Sequence, residues 1–419
     1  MADVFVLDVL LYGEPIGTLT RVEGDRTLFA FNEDYIADPN RSVLGLGFKD
    51  SLGQLITEFR PYRTAVMPFF SNLLPEGHLR KYLAERGGVS EKREFFLLWL
   101  LGQDLTGALT IRPADGEALP PLADDGDDHH RDDERRAKAL RFSLAGVQLK
   151  FSAVTKATGG LTIPAKGVGG SWIVKLPSEK FEGVPENEYS MVTLARLIGM
   201  DVPAIELVEV RDIENLPDGI EALKGRHALA IERFDRLSDG TAVHVEDFAQ
   251  VFGLYPDEKY DKASSMNIAR VIGAESDEAD IVEFIRRLTF NALIGNGDMH
   301  VKNWSVIFPD RRTARLAPAY DFVSTVPYIR DEMAALKVSR SKRFEDCSED
   351  ELAHMAARAR LPEKIVLDTA RETAALFHKH WRAEKKNLPL SKAVIDAVEA
   401  HVKNVPLGAR PRRRSRTLA

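Results

Sequence analysis

The order of apolar and polar positions divides this chain into strand-rich and helical regions. Near the N-terminus, "VFVLDVLLYGEPIGTLTRV" surrounds a turn with Gly13 and Pro15, which predicts two strands. The stretches "NLLPEGHLRKYLAERGG" and "EKREFFLLWLLGQ" predict helices, the first with Pro75 near its start and Gly87 at its end. The unbroken apolar run Phe95–Leu101 is far shorter than the ~20 residues that a membrane helix needs, so we expect a buried helix.

Beyond residue 137 the pattern predicts strands first and helices later. Apolar residues alternate in "VQLKFSA", and "LTIPA", "SWIVKLP", "VPAIELVEV" and "HALAIERF" each predict a further strand. One helix interrupts them, from about Asn187 to Ile198, and Gly199 ends it. After Phe234 the chain is mostly helical, and its clearest helix carries an apolar face of Ile281, Phe284, Ile285, Leu288 and Ala292.

This order predicts an α+β protein with a bilobal, kinase-like fold. A strand-rich N-terminal lobe with an extra N-terminal subdomain precedes a helical C-terminal lobe. Residues 114–137 are acidic and poor in large apolar residues, which predicts a linker or exposed loop. Around it we expect an N-terminal subdomain (1–113), a strand-rich core (138–236), a helical lobe (237–405) and a basic tail (406–419). The tail is typical of a disordered end, and contact with nucleic acid or an acidic partner is the alternative.

Composition excludes several classes of protein. With 419 residues, 44 % of them hydrophobic and 29 % charged, the chain has ample material for a globular core. Its formal net charge of -7, from 57 basic and 64 acidic residues, gives no general basic surface for nucleic acid. The one cysteine, Cys347, excludes an internal disulfide and any cysteine-cluster metal site, which suits a cytoplasmic protein. The N-terminus lacks the basic region of a signal peptide, and we expect no association with a membrane.

The segment "IGNGDMHVKNWSVIF", residues 294–308, places polar residues between two apolar runs. Asp298 and Asn303 are five residues apart, with His300 and Lys302 between them. A kinase catalytic loop has the same spacing, from the Asp that meets the attacking hydroxyl to an Asn that binds metal. Taken alone, the segment equally fits a solvated connection between two buried elements.

Further residues upstream and downstream complete a kinase pattern. Asp321 follows the apolar strand "WSVIF" and a basic turn, so a hairpin could return its carboxylate to the loop that carries Asp298. Lys175 in "WIVKLP" is a cation in an otherwise apolar strand, and the next helix offers Glu188 as its partner. A solvent-facing position on an edge strand is the alternative for Lys175. His300 suits a hydrogen-bonding brace better than a metal ligand, because Mg²⁺ prefers oxygen.

One feature of a conventional protein kinase is absent from the sequence. A G-x-G-x-x-G loop normally covers the ATP phosphates ahead of the strand lysine. Before Lys175 the chain offers only Gly159-Gly160 and the "GVGG" of residues 167–170. The sequence therefore departs from the pattern of a conventional protein kinase.

Several segments resemble a known family over roughly residues 5 to 400. The loop "GDMHVKN" resembles the G-D-x-H-x-x-N loop of the phosphatidylinositol 3/4-kinase-like superfamily. Further segments are similar to the HipA toxin kinases of bacterial toxin–antitoxin systems: "GEPIGTLTR", "FFSNLLPEG", "DLTGALTI", "SLAGVQLKFS", "NEYSMVTLARLIGMDVP", "ALAIERFDR", "HVEDFAQVFGLYPDEKY" and "PAYDFVST".

The resemblance implies a serine/threonine kinase that uses ATP and Mg²⁺. Asp298 would be the catalytic base, Lys175 the phosphate clamp, and Asn303 and Asp321 the metal ligands. The hinge segment that would meet adenine is Glu232, Arg233 and Phe234. Glu188, His300 and Lys302 would support this site.

The resemblance also implies regulation and partners. In the family a serine of an S-x-A-G-x-Q segment is autophosphorylated and inactivates the enzyme, and here that position is Ser143. The roughly two negative charges of a phosphate would expel this loop from beside the nucleotide's phosphates. An ordinary turn or cap serine is the alternative. The family's partner is the DNA-binding antitoxin HipB, through which DNA contact would mainly occur, and its best-known substrate is the translation protein glutamyl-tRNA synthetase.

Two other functions fit the same residues. A small-molecule or lipid kinase could share the G-D-x-H-x-x-N loop, although we find no basic amphipathic helix that would favour a lipid surface. A kinase fold without catalysis could instead act as a co-repressor, with the tail "RPRRRSR" touching nucleic acid. Retention of Lys175, Asp298, Asn303 and Asp321 argues against such a degenerate fold.

Overall fold

The chain forms two compact units, each built from three segments. The structure is a computed structural model that describes residues 5–116, 150–155, 161–162, 170–178, 180–214, 216 and 225–408. Unit 1 comprises Met1–Pro185, Pro203–Lys262 and Val301–Pro318. Unit 2 comprises Glu186–Val202, Ala263–His300 and Ala319–Ala419. The domain boundaries expected from composition stay a prediction.

Unit 1 begins with a five-stranded antiparallel sheet of order β4-β3-β2-β1-β5. Its strands are β1 (Phe5–Leu11), β2 (Glu14–Val22), β3 (Arg26–Phe31), β4 (Tyr62–Arg63) and β5 (Leu109–Pro113). The predicted hairpin of β1 and β2 is confirmed, and its turn residues Tyr12 and Gly13 both have positive φ. Exposed and buried residues alternate strictly along β3, as they do in a strand with one face on the core.

Short helices cover one face of this sheet. They are α1 (Glu33–Ala37), α2 (Pro68–Ser71), α3 (Gly77–Gly87) and α4 (Glu94–Leu101). Every residue of α4 is buried, which confirms that its apolar run is a core helix. The core between helices and sheet is rich in aromatic rings, with Phe29 in edge contact with Phe31, Phe48 and Phe70.

The second sheet of unit 1 holds the predicted strand lysine. Its strands are β6 (Lys150–Thr155), β7 (Leu161–Thr162), β8 (Trp172–Lys175), β9 (Ile205–Glu209) and β10 (His227–Glu232). The order is β7-β6-β8-β10-β9, so β8 is the central strand and pairs antiparallel with both β6 and β10.

A three-stranded sheet completes unit 1. It pairs β11 (His244–Asp247) with β12 (Ser305–Phe308), and β12 with β13 (Arg315–Leu316). The predicted hairpin after the segment "WSVIF" is therefore confirmed. The short helix α6 (Phe248–Val251) follows β11, and Asp247 caps it by accepting a hydrogen bond from the Gln250 N–H at 2.9 Å.

The strand β11 buries two ionisable side chains on one face. The His244 Nε2 donates to the Leu44 carbonyl at 2.7 Å, and a Glu246 oxygen accepts from the Leu46 N–H at 2.7 Å. Burial lowers the pKa of His244 to about 4 and raises the pKa of Glu246 to about 8. Both side chains thus favour the neutral form and tie the segment at Leu44–Leu46 to β11.

Unit 2 is helical over its described residues. Its helices are α5 (Val184–Leu197), which starts two residues before the unit, α7 (Ser265–Glu275), α8 (Glu278–Ile294), α9 (Glu349–Ala359), α10 (Glu363–Glu384) and α11 (Lys392–Val402). The helix α8 packs on α7, α10 and α11, and all five residues of its predicted apolar face are buried. Phe290 of α8 meets the rings of Phe322 and Phe377 edge-on.

The described residues confirm the predicted fold class. Their strands lie in unit 1, which carries most of the N-terminal part of the chain, and the helices of unit 2 dominate the C-terminal part. None of the helices described is long and apolar enough to cross a membrane.

Candidate functional site

The loop that carries Asp298 begins where α8 ends, at a glycine whose backbone lies in the left-handed region. Gly295 has φ +65°, and its N–H donates to the Asn291 carbonyl, which closes the last turn of the helix. A Cβ at this position would lie 2.6 Å from the Cγ1 atom of Val326. Glycine thus lets the chain leave α8 directly beside the segment that follows Asp321.

Asn296 joins the two carboxylate-bearing segments of unit 2. Its side chain is 1 % exposed, and its Nδ2 donates to Asn291 Oδ1 at 2.8 Å and to the Asp321 carbonyl at 3.1 Å. Its Oδ1 accepts from the Asp298 N–H at 3.1 Å. One buried amide therefore fixes the backbones of Asp298 and Asp321 relative to α8. Buried polar groups are almost always paired, and this amide has both donors and its acceptor satisfied.

The backbone of Asp321 adopts an uncommon conformation. Its φ is +57°, in the left-handed region that Asp enters more readily than most residues because its short side chain can bond locally. Anchors on its C-terminal side hold the conformation. Phe322 is fully buried, and Thr325 Oγ1 accepts from the Gly297 N–H at 2.8 Å and donates to the Gly295 carbonyl at 3.1 Å.

His300 is buried within the same loop. Its backbone N–H donates to the Asp298 carbonyl at 2.8 Å, which tightens the turn after Asp298. Its ring is 6 % exposed. No three His, Cys, Asp or Glu side chains within the described ranges cluster as a metal site would. A site for Mg²⁺ bound with ATP needs only one or two protein ligands, since phosphate and water oxygens fill the remaining positions.

The helix with Glu188 is tied to the segment after Asp321. Asn187 is fully buried, its Nδ2 donates to the Ser324 carbonyl at 2.9 Å, and its Oδ1 accepts from the Ser324 N–H at 3.1 Å. Glu188, the next residue, is 4 % exposed. The first turns of α5 and the Asp321 segment are therefore registered by a reciprocal pair of hydrogen bonds.

Lys175 lies on the central strand of its sheet. It pairs with Leu229 of β10 on one side and with Lys150 of β6 on the other, and it is 6 % exposed. The alternative of a solvent-facing edge lysine is therefore wrong. A buried ammonium is retained only where an anion or other polar groups compensate it, so this position suits a cation that meets phosphate.

Lys302 and Asn303 belong to a single 3-10 turn of unit 1, Val301–Asn303. The Lys302 Nζ lies 3.0 Å from Glu76 Oε1 and donates to the Asn72 carbonyl at 3.0 Å. Lys259 Nζ contacts the other Glu76 oxygen at 2.8 Å. Burial pushes the pKa of Glu76 upward, but Lys302 and Lys259 more than offset this and hold it at about 2.

The predicted hinge segment is held by a buried ion network. Glu232 is exposed, its N–H donates to the Ala204 carbonyl at 2.9 Å, and Phe234 is half-buried. The Arg233 guanidinium forms a two-point contact with Asp235, at 2.9 Å for each bond, and a 3.0 Å contact with Asp104.

The pKa of Arg233 shows that the two carboxylates offset the cost of burying its positive charge. Burial opposes the charge, but Asp235 and Asp104 outweigh burial and raise the pKa of Arg233. The Arg233 side chain thus fastens the segment to Asp104 and Asp235.

Sequence reasoning missed the residues that hold the site together. Asn187, Asn296 and Thr325 make the hydrogen bonds described above, and only Asn296 had a visible signal, as a polar residue between an apolar run and Gly-Asp. Ser143, Gly159, Gly160 and the segment 167–169 lie outside the described residues. The roles assigned to the site residues stay predictions.

The fold is that of a solved toxin structure. The Shewanella oneidensis toxin HipA, in its complex with HipB and operator DNA, superposes with a TM-score of 0.70 over 96 % of both chains, at 21 % identity. Such a likeness shows the fold and confirms the expected strand-rich and helical arrangement.

Sequence matches give the family. The pattern of the HipA-like C-terminal domain matches residues 142–381, and that of the HipA N-terminal domain matches residues 7–112. The chain belongs to the HipA family. It is 59 % identical to "Putative kinase Y4dM" of Sinorhizobium fredii over 97 % of this chain and 98 % of that protein. It is also 29 % identical to the "Serine/threonine-protein kinase toxin HipA" of Shewanella oneidensis over 62 % of this chain and 63 % of that one.

Proposed function

We propose that this protein is a serine/threonine protein kinase that uses ATP and Mg²⁺, the toxin of a toxin–antitoxin pair. The observation that carries the proposal is the Asn296 amide, which joins the backbones of Asp298 and Asp321. Phosphoryl transfer asks a protein mainly for fixed positions of charged groups, and a rigid link between two carboxylate-bearing segments supplies that.

The residue roles follow from their chemistry. Asp298 accepts the proton of the attacking hydroxyl, and Lys175 binds phosphate oxygens as a cation on a rigid central strand. Asn303 and Asp321 offer the amide and carboxylate oxygens that Mg²⁺ prefers, so they fit as its ligands. Mg²⁺ bound with ATP supplies neutralisation of the phosphate charge. The same loop supports membership of the phosphatidylinositol 3/4-kinase-like superfamily.

The partners and regulation we propose rest on the family. The Shewanella relative is solved with HipB and operator DNA, so we propose a HipB-like antitoxin that carries the DNA contact. The substrate would be a translation protein such as glutamyl-tRNA synthetase. Phosphorylation of Ser143 by the chain itself would switch it off, since the added charge opposes the nucleotide's phosphates.

Mass spectrometry of the purified protein, incubated with and without ATP and Mg²⁺, tests this function. We expect phosphoserine at Ser143 in the wild type and a loss of at least about 100-fold in its rate of formation in Asp298→Asn, because a general base is removed. Asp368→Asn removes a carboxylate at an exposed helix position and serves as the control.

The proposal fails if the wild type neither binds ATP nor carries phosphoserine. Phosphate uptake by a lipid or sugar in place of protein would favour a small-molecule kinase. Operator binding that depends on the basic tail, with Asp298→Asn harmless in cells, would favour a non-catalytic co-repressor.

A further inference from the structure

A carboxylate near the N-terminal sheet is held between two lysines from distant parts of the chain. Glu76 lies between Lys302, at 3.0 Å, and Lys259, at 2.8 Å, all within unit 1. The exposed fractions of the three side chains are 13 %, 7 % and 9 %. Ion pairs so well shielded from water are screened little by salt, and breaking one leaves a buried charge uncompensated.

The position of Glu76 in its helix makes this contact informative. Glu76 is the N-cap residue of α3, where an Asp, Asn, Ser or Thr side chain normally accepts a hydrogen bond from the helix's own N–H groups. The Glu76 side chain makes no such bond and reaches the lysines instead. The Glu76 side chain therefore contacts Lys259 and Lys302 and does not cap α3.

Lys302, one of the two lysines that contact Glu76, directly precedes Asn303, a proposed metal ligand. Lys302 and Asn303 share the 3-10 turn Val301–Asn303, and a turn of this length has few hydrogen bonds of its own. The turn is therefore held by groups outside it: Val301 is fully buried and its N–H donates to the Lys259 carbonyl at 3.5 Å, while Lys302 Nζ contacts Glu76 and donates to the Asn72 carbonyl. Asn72 is itself fixed, since its Nδ2 donates to the carbonyls of Pro68 and Leu254 at 2.8 and 2.7 Å.

We propose that Glu76 is a positioning residue for phosphoryl transfer. By holding Lys302 it fixes the turn Val301–Asn303 and presents the Asn303 side chain to Mg²⁺, so the N-terminal sheet region takes part in forming the active site. This inference rests on the proposed kinase function. The segment "LLPEG", which contains Glu76, would then contribute to metal binding as well as to the stability of its own region.

A matched pair of variants separates positioning from stability. Glu76→Gln removes the charge that holds Lys302 and nearly keeps the side chain's shape. Glu94→Gln removes the charge of another buried carboxylate of this region. Glu94 contacts Arg80 at 3.0 Å, Ser71 Oγ at 2.8 Å and the Val66 N–H at 3.0 Å.

The decisive quantity is the Mg²⁺ concentration that gives half-maximal phosphoryl transfer. We expect it to rise at least about tenfold in Glu76→Gln, the size of effect seen when a group that orients a metal ligand is removed. Lys302→Met tests the link from its other end, leaves Glu76 paired with Lys259, and should give the same rise. Glu94→Gln should leave the Mg²⁺ requirement unchanged, even where it lowers thermal stability.

Amide hydrogen exchange supplies a readout without catalysis. Exchange at the peptide that spans Val301–Asn303 should accelerate in Glu76→Gln and Lys302→Met, and stay at the wild-type rate in Glu94→Gln. If the wild type transfers no phosphate, the kinase function fails, while exchange alone still decides whether Glu76 orders this turn.

Two results would overturn the positioning role. One is an unchanged exchange rate and Mg²⁺ requirement in both Glu76→Gln and Lys302→Met. The other is a Mg²⁺ requirement that rises as much in Glu94→Gln, because the effect would then follow from weakened packing of the whole region.

Discussion

The Asn296 side chain donates a hydrogen bond to the Asp321 carbonyl at 3.1 Å while accepting one from the Asp298 N–H at the same distance. A single amide thus sets the spacing of two segments that are 23 residues apart in the chain. Both of its donors and its acceptor are used, so no other side chain of similar size can replace it. Ser and Thr are too short, and Asp lacks the donors.

Asn296→Asp should uncouple the two segments. The new carboxylate can still accept from Asp298, but it faces the Asn291 Oδ1 and the Asp321 carbonyl with no hydrogen to offer. We expect a loss of about 1–3 kcal/mol in the free energy of unfolding. A displacement of about 1 Å would lower the rate of phosphoryl transfer about 100-fold. Urea unfolding and a kinase assay measure the two effects.

The same change at an exposed asparagine provides the control for Asn296. Asn387→Asp alters a surface residue that bonds to Glu384, and both quantities should stay near wild type. Full activity in Asn296→Asp would mean that the amide does not set the geometry of Asp298 and Asp321.

Removing Arg233 should cost far more stability than removing an exposed arginine with similar contacts. Arg233→Met removes the cation that contacts Asp235 at two points and Asp104 at one, and Arg236 stays in contact with both carboxylates. We expect this change to cost about 3 kcal/mol, the lower end of the range for breaking a buried ion pair. Arg371→Met breaks the contact of an arginine that also meets a carboxylate, Glu349, at two points, at 2.8 and 2.7 Å.

The difference between these two arginines lies in burial. The Arg371 side chain is 53 % exposed and the Arg233 side chain 1 %. Loss of the Arg371 contact should therefore cost far less stability than loss of the Arg233 contacts, because water screens exposed ion pairs. Chemical denaturation of both variants makes the comparison, and equal losses would show that burial of the Arg233 network does not control its strength.

Glu246 should make stability fall as the pH rises. Burial raises its pKa from 4.5 to about 8, so between these values the folded chain holds a proton that the unfolded chain has released. Folding then binds a proton, and the free energy of unfolding declines with pH by up to about 1.4 kcal/mol per unit. This contribution to stability is complete below pH 4.5 and is lost as the pH approaches 8.

Glu246→Gln isolates this contribution. The wild type should lose stability relative to the variant as the pH is raised from 5 to 8, within the window that the pKa of Glu246 spans. Glu363→Gln, at an exposed position of α10, is the control and should run parallel to the wild type. Parallel unfolding curves for Glu246→Gln and the wild type across this range would contradict the prediction.

Comparison of Gly295→Ala with Gly253→Ala should separate backbone strain from a steric clash of the new Cβ. Gly295 combines a φ of +65° with a Cβ site 2.6 Å from Val326 Cγ1. Gly253 has nearly the same φ, +62°, with nothing within 4 Å of its Cβ site. Gly253→Ala should therefore cost about 1–2 kcal/mol, the strain alone. Gly295→Ala should cost more than that, because α8 or its neighbour must also move, and thermal unfolding of the two variants measures the difference.

Local patterns predicted most individual elements correctly. The β1–β2 hairpin, α3, α4, α5, β8, β9, β10 and α8 lie where spacing, glycine and proline placed them. The apolar face predicted for α8 is buried, and the unbroken apolar run of α4 is buried on every side, so these local signals are strong. The strand β3 and the helices near the C-terminus were not singled out, although they too have amphipathic patterns.

The order of strands and the groups that hold the site were beyond sequence reasoning. Nothing in "WIVKLP" indicates that β8 is central, because strand order depends on pairing between distant segments. The contact of Glu76 with Lys302 spans 226 residues, and no spacing rule links them. The predicted constellation of Lys175, Glu188, Asp298, Asn303 and Asp321 came from order along the chain. Asn187 and Thr325, which hold the segments near Asp298 and Asp321, carry no signature of this kind.

The pairing of β11 with β12 has a consequence for how this chain is made. Asp247 ends β11 and Ser305 begins β12, and the ribosome needs about 3–12 s to synthesise the residues between them. Throughout that interval β11 has an unpaired edge, because β12 has not yet been synthesised. Glu76 likewise lacks its contact with Lys302. A nascent chain stalled or cleaved before residue 308 would therefore be a target for chaperones and proteases, and expressing the N-terminal part alone up to Lys262 would yield an incomplete sheet.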